Sequence, residues 1–147
     1  MMMDDRYLSK AKRKDNGEWV EGFYFCMTHL DGRHTHHFII PLGADLSLGT
    51  SVEKIQVEVD PDTICRYTGL NDKHGSLIWE NDIIKHYNDE THSESYCTGT
   101  VLWDENYAGF YRTSNEHGLS KPHISSDCIY EVVGNVFDDT KLLEEEL

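Results

Sequence analysis

Turn-forming residues cut this chain into short apolar runs, and almost none of those runs shows helical periodicity. Asn16-Gly17, Asp31-Gly32, Pro41 with Gly43 and Gly49, Asp60-Pro61-Asp62, the stretch Gly69 to Gly75, Asp104-Glu105-Asn106, and Gly118 with Pro122 fall at near-regular spacing. These residue types punctuate a chain because they tolerate or impose the backbone angles of turns. Between them lie segments rich in β-branched and aromatic residues. Short strands at such spacing predict an all-β, or mostly β, fold built as a barrel or a sandwich.

The first strand expected is Glu18–Met27, with Gly22 marking a bulge or a close backbone approach. Asp31-Gly32 then reads as a hairpin turn, with a return strand from His34 to Ile40 stopped by Pro41. In Val52–Val59, Ile55, Val57 and Val59 share one face and Gln56 and Glu58 the other, the pattern of a half-buried strand. Thr63–Thr68 reads as a further strand, and Leu77–Tyr87 as a tight turn followed by one. A pair, Cys97–Trp103 with Gly109–Arg112, and a last strand, Cys128–Phe137, complete the set. The opening to Asn16 reads as a polar arm, Gly69–Gly75 as a polar connection, Asn88–Ser95 as an exposed hairpin tip, and Asn115–Ser126 as a mixed loop. Asp138–Glu146 reads as one or two helical turns, with Asp138 and Asp139 at the positive end and three closing Glu fraying the negative one.

A chain of 147 residues fits one domain, or two small β sub-modules of about 1–62 and 63–147 sharing a core. No apolar run approaches the ~20 residues that span a bilayer, and the first residues lack the apolar stretch of a secretory signal. The expected compartment is the cytoplasm. Cys26, Cys65, Cys97 and Cys128 lie more than thirty residues apart, with no C-x-x-C pair, so free, reduced, semi-buried thiols are expected.

Charge narrows the partners. There are 27 acids against 13 bases, a net charge of −14. Residues 1–70 carry 11 acids and 8 bases, a net −3; residues 71–147 carry 16 and 5, a net −11. Nucleic-acid binding draws its affinity from basic side chains that displace counterions, and the basic cluster here is confined to Lys10, Lys12, Arg13 and Lys14. No direct nucleic-acid binding and no membrane contact are expected.

Chemical motifs are sparse. No phosphate-cradling loop, nucleophile elbow or zinc-protease helix is present. His29, His34, His36 and His37 flank the Asp31-Gly32 turn, and a hairpin would bring His29 beside His34 or His36, two or three imidazoles within metal reach. No carboxylate or thiolate stands at a diagnostic spacing, so polar residues on an exposed hairpin explain the set more simply. A Ser125, His123 and Asp127 hydrolase set could be assembled only by geometry. No catalytic residue and no cofactor are expected.

The stretch Tyr67-Thr68-Gly69-Leu70-Asn71-Asp72-Lys73-His74-Gly75-Ser76-Leu77-Ile78-Trp79-Glu80-Asn81-Asp82-Ile83-Ile84 closely resembles the hallmark of the YopX family, roughly Y-T-G-L-x-D-x-x-G-x-x-I-[YF]-E-G-D-[IV]-[IV]. Glu131-Val132-Val133-Gly134-Asn135-Val136-Phe137 resembles that family's E-V-I-G-N-[IV]-[YF], and Trp19-Val20-Glu21-Gly22-Phe23 its W-V-x-G-[YF]. The chain departs at Asn81, where Gly is usual; Asn tolerates a left-handed backbone, so the turn should survive. The resemblance implies a phage or prophage setting in a bacterial host and a compact β-barrel-like fold, with an SH3-like second half as an open option. It brings no catalytic residue.

The motif itself reads as architecture. Gly69 and Gly75 supply positive φ, and Asp72 bonds nearby backbone amides. Tyr67, Thr68, Leu70, Ile78, Trp79, Ile83 and Ile84 supply strand and core, and Gly134-Asn135 a second turn. Glu80 and Asp82 are either turn caps or a paired-carboxylate site. Three functional readings follow: a non-enzymatic protein-interaction or self-assembling module anchored by aromatics such as Tyr107, Phe110 and Tyr111; an acidic mimic of nucleic acid that occupies a host DNA-binding protein; and a metal-dependent enzyme.

Overall fold

The computed structural model describes residues 5–45, 47, 49–88, 94–114 and 121–145, and it is predominantly β, as the sequence predicts. The elements run β1 (Leu8–Lys12), β2 (Trp19–Thr28), β3 (Thr35–Pro41), α1 (Val52–Ile55), β4 (Val57–Glu58), β5 (Cys65–Asn71), β6 (Leu77–Trp79), β7 (Asp82–Tyr87), β8 (Tyr96–Asp104), β9 (Gly109–Arg112), β10 (Ile129–Asn135) and α2 (Thr140–Glu145). Most of the expected tip at 88–95, half of the loop at 115–126, and Glu146 in the closing run lie outside the described residues. Among those described, no helix is long and apolar enough to cross a membrane. The chain divides into two compact units, Met1–Tyr67 and Thr68–Leu147.

In the first unit the strands neighbour one another in the order β4-β3-β2-β1-β5, all antiparallel. Residues 8–12 are not a polar arm. They form β1, a central strand paired to β2 through Leu8↔Phe23 to Lys12↔Trp19 and to β5 through Ser9↔Arg66. The lysines disguise it: Lys10 and Lys12 lay their ammonium groups over the Trp19 ring, 4.5 and 5.4 Å from its centroid. Long aliphatic stems cover apolar surface while the charge stays wet. Leu8 and Ala11 are buried, and Ala11 packs with Ile39 and Val59 at the centre of this unit's core.

The expected strand Val52–Val59 is also corrected. Its first half is one helical turn, closed by the Gln56 N–H on the Val52 carbonyl, with Glu53 and Lys54 suited to the turn's two ends. Val57 and Glu58 pair with β3, and Val59 bonds the His37 carbonyl of β3 through its N–H and bridges to Arg13. Gly22 fulfils the close-approach expectation: a Cβ there would run into the Ile40 carbonyl of β3.

The second unit holds the antiparallel order β10-β7-β8-β9, with β6 beside the continuation of β5. Gly69–Asn71 belong to that strand rather than to a polar connection; the Thr68 hydroxyl donates to the Ile78 carbonyl at 2.7 Å and accepts the Leu70 N–H. Ile78, Ile84, Val101 and Tyr130 form the core, with Leu70, Phe110, Ile124 and Val132 against it. Register shifts between Val132 and Gly134, where β10 bulges against β7. The outer edge of β9 is covered rather than free. The Arg112 N–H bonds the Pro122 carbonyl, the Ile124 N–H bonds the Phe110 carbonyl, and Tyr111 bridges His123. That lining segment carries Lys121 and His123 to the end of β8.

Candidate functional site

The motif from Tyr67 to Ile84 gathers turns and core. Tyr67 is buried in the first unit, and Ile78, Ile83 and Ile84 are fully buried in the second. Gly69 and Gly75 adopt φ of +86° and +83°. Asn81 adopts +71°, so the residue that replaces the usual Gly keeps the left-handed turn between β6 and β7.

Asp72 is the motif's clamp. Its Oδ1 accepts the His74 and Ser76 N–H groups, both at 2.9 Å, and its Oδ2 accepts the Val132 N–H of β10 at 3.0 Å. Burial pushes this carboxyl up, but the amides of Val132, Ser76 and His74 outweigh it and hold it below its ordinary value. Asp82, also buried, accepts the Trp79 N–H at 2.8 Å. Glu80 is half-buried in the same turn. Asn135 folds the chain into α2: its side-chain oxygen accepts the Phe137 and Asp138 N–H groups while its own N–H bonds Asp139. A Cβ at Gly134 would come within 2.6 Å of the Asp139 carboxylate.

The histidines divide into separate contacts. His29 and His36 meet, Nε2 to Nε2 at 3.1 Å, and Nδ1 of His36 lies 3.2 Å from Glu58 Oε1. His34 turns instead to Asp31, at 3.0 Å, and His37 to the Tyr24 hydroxyl, at 2.7 Å. Among the described residues, no group of three or more His, Cys, Asp or Glu side chains converges as a metal cage.

A cleft that sequence reasoning missed lies at the end of β8. It is open to solvent, has a volume of about 500 Å³, and is lined by Asp104, Asn106, Tyr107, Lys121 and His123. Asp104 is 2% exposed. Its Oδ1 accepts the Asn106 N–H at 3.0 Å, holding the turn toward β9. Its Oδ2 finds no hydrogen-bond donor among the described residues. His123 Nε2 stands 3.6 Å from Oδ2 and Lys121 Nζ 3.9 Å from Oδ1, both too long for a hydrogen bond. His123 is seated by Gly109, where a Cβ would crowd the imidazole at 3.3 Å, and its ring meets Tyr107 edge to face at 5.4 Å. Tyr107 is 75% exposed at the rim. Ala108, in the same turn, holds a φ of +50°.

Of the three aromatics singled out as anchors, Tyr107 alone stands clear of the surface. Phe110 packs on the core and meets Trp103 at 5.0 Å, and Tyr111 lies half-buried under Lys121. In the supposed hydrolase set, the Ser125 hydroxyl accepts the Asp127 N–H and faces Cys128 Sγ, while His123 faces Asp104.

No curated protein matches this chain. Among solved structures, it is similar to the crystal structure of protein EF1440 from Enterococcus faecalis, with a TM-score of 0.53 and 20% identity over 92% of this chain and 96% of that one. At that identity the likeness speaks to the fold alone. The family model described as YopX protein matches residues 9–144, from β1 to α2 and across all three motifs. This chain belongs to the YopX protein family.

Proposed function

We propose that this chain is a non-enzymatic protein-interaction module that receives a basic side chain of its partner, an arginine or lysine, in the Asp104 cleft. One observation carries the reading: Asp104 Oδ2 is buried, and no donor among the described residues hydrogen-bonds it. Leaving such a group unpaired costs about 1–3 kcal/mol, more for a charge, which a donor from outside recovers. The cleft is roomy enough to admit a long basic side chain. The exposed Tyr107 ring offers a face to a cation, and the net −11 of residues 71–147 draws basic partners.

Direct nucleic-acid binding is disfavoured because the basic cluster is spent internally. Arg13 pairs with Asp15 through two bonds, Lys14 with Glu58, and Lys10 and Lys12 cover Trp19. The acidic half also favours a second reading, in which the partner is a DNA-binding protein of the bacterial host and this surface stands in for nucleic acid.

Affinity capture from the cytoplasm of a bacterial host tests both, with wild type, Asp104→Asn and Tyr107→Ala as baits. Asp104→Asn keeps the acceptor for the Asn106 N–H, so folding is preserved. A specific partner lost with both variants supports the cleft; release of that partner by duplex DNA selects the mimic. Sedimentation of wild type alone shows whether the partner is a second copy. Equal capture by all three baits refutes the cleft.

A further inference from the structure

The two imidazole nitrogens that meet across the β2–β3 hairpin cannot both carry protons, because two N–H groups would then face each other at 3.1 Å. Nδ1 of His36 faces the Glu58 carboxylate at 3.2 Å. Lys14 Nζ lies 3.3 Å from the same Glu58 oxygen, so the acid is an ion-paired carboxylate. An ionised carboxylate only accepts, so the His36 proton belongs on Nδ1 and Nε2 presents a lone pair toward His29. Without a ligand, His29 donates its own N–H into that lone pair. In its other tautomer, His29 presents a second lone pair to the same point.

We propose that His29 Nε2 and His36 Nε2 chelate a borderline divalent transition-metal ion such as Zn2+, Ni2+ or Cu2+. Imidazole binds these ions at about 2.0–2.1 Å, which sets two nitrogens on one tetrahedral or octahedral ion about 2.9–3.4 Å apart. The observed 3.1 Å lies in that window. Glu58 then supplies the carboxylate partner that fixes tautomer and orientation in metal-binding histidines. The His36 ring and the His29 backbone are held before any metal arrives. His36 stacks against Phe38, and the backbone at His29 is tied twice, its N–H to the His34 carbonyl and its carbonyl to the Gly32 N–H. Two nitrogens and no thiolate favour these ions over hard Mg2+ or Ca2+. No third side chain converges among the described residues, so water completes the coordination sphere. Metal bound here would cross-link the two strands at the end of the hairpin.

The test is calorimetric titration of the full chain with zinc chloride, repeated with nickel chloride. The chain has nine histidines, so variants must separate this pair from scattered weak sites. His29→Gln and His36→Gln should each abolish the saturable site. Glu58→Gln, lacking the orienting charge, should weaken it about tenfold, and His37→Gln and His74→Gln should leave it unchanged. Cu2+ bound to wild type should show coupling to two nitrogens by electron paramagnetic resonance, reduced in either single variant. All these side chains lie outside the buried core, so circular dichroism of each variant should match wild type. Isotherms unchanged in His29→Gln and His36→Gln, or no saturable binding by wild type, overturn the proposal and leave the pair as an ordinary hydrogen bond.

Discussion

Replacing Asp72 should be among the most damaging single changes to the second unit. Three N–H groups, on His74, Ser76 and Val132, converge on this carboxylate. Bonds to a charged acceptor contribute about 1.5–3 kcal/mol each, and an orphaned buried donor adds its own penalty. The His74 and Ser76 amides sit in a turn where water can replace the lost acceptor; the Val132 amide sits within β10. Discounting the first two gives about 2–4 kcal/mol for Asp72→Ala and about 1–2 kcal/mol for Asp72→Asn, which keeps one acceptor. Urea denaturation should show these losses as lower midpoints at unchanged slope. The pH dependence gives a second reading. A carboxyl whose folded pKa is depressed contributes fully above its unfolded pKa, about 3.9, and loses that contribution as pH falls through the folded value. The gap between wild type and Asp72→Asn should therefore hold at neutral pH and narrow below about pH 4. A loss under about 0.5 kcal/mol for Asp72→Ala, or a gap constant down to acid, would falsify the clamp.

Further changes probe the turns, thiols and core. Asn81→Gly should be neutral or slightly stabilising, and Asn81→Ala should cost about 1 kcal/mol, because Asn81 holds a φ of +71°; equal midpoints for the two variants would contradict the turn assignment. Alkylation of the native protein followed by mass measurement should find four free thiols, with exposed Cys26 reacting first and buried Cys65 last. Burial is the main force pushing the Tyr130 hydroxyl up to about 12. A group raised in the folded state stabilises fully below its unfolded pKa, so stability should fall as pH climbs from about 10 toward 12. Tyr130→Phe should remove that alkaline loss.

Local chemistry was legible in the sequence, and long-range placement was not. The Asp72 turn, the left-handed Asn81 and the close approach at Gly22 each follow from a few adjacent residues whose backbone preferences are strong. The hairpin at Asp31-Gly32 was enough to bring His29 toward His36, and strand alternation to turn His37 to the other face, though not to send His34 to Asp31. β1 was hidden because its lysines read as solvent-facing until Trp19 is placed beneath them. α1 was hidden because Ile55, Val57 and Val59 fit a strand, and only the Gln56–Val52 bond separates the turn from it. The Asp104 cleft was beyond sequence reasoning for a different reason. Its far wall comes from a segment seventeen to nineteen residues downstream, brought in by hydrogen bonds along the edge of β9.

The acidic excess of this chain is partly structural. Asp60, Asp72, Asp82 and Asp139 each turn a carboxylate oxygen onto backbone N–H groups at a strand or helix boundary. In an almost helix-free fold, turns leave many amides without ladder partners, and short acidic side chains satisfy them locally. Asp104 begins the same way, with Oδ1 on the Asn106 amide. It differs in the other oxygen. Asp72 uses both of its oxygens, one of them to reach across to β10; Asp104 is as deeply buried, yet its Oδ2 has no hydrogen-bond donor among the described residues. A purely structural turn gains nothing from that arrangement. His123 Nε2 stands 3.6 Å from that oxygen, too long for a hydrogen bond, and the basic side chain of the proposed partner would supply the missing donor.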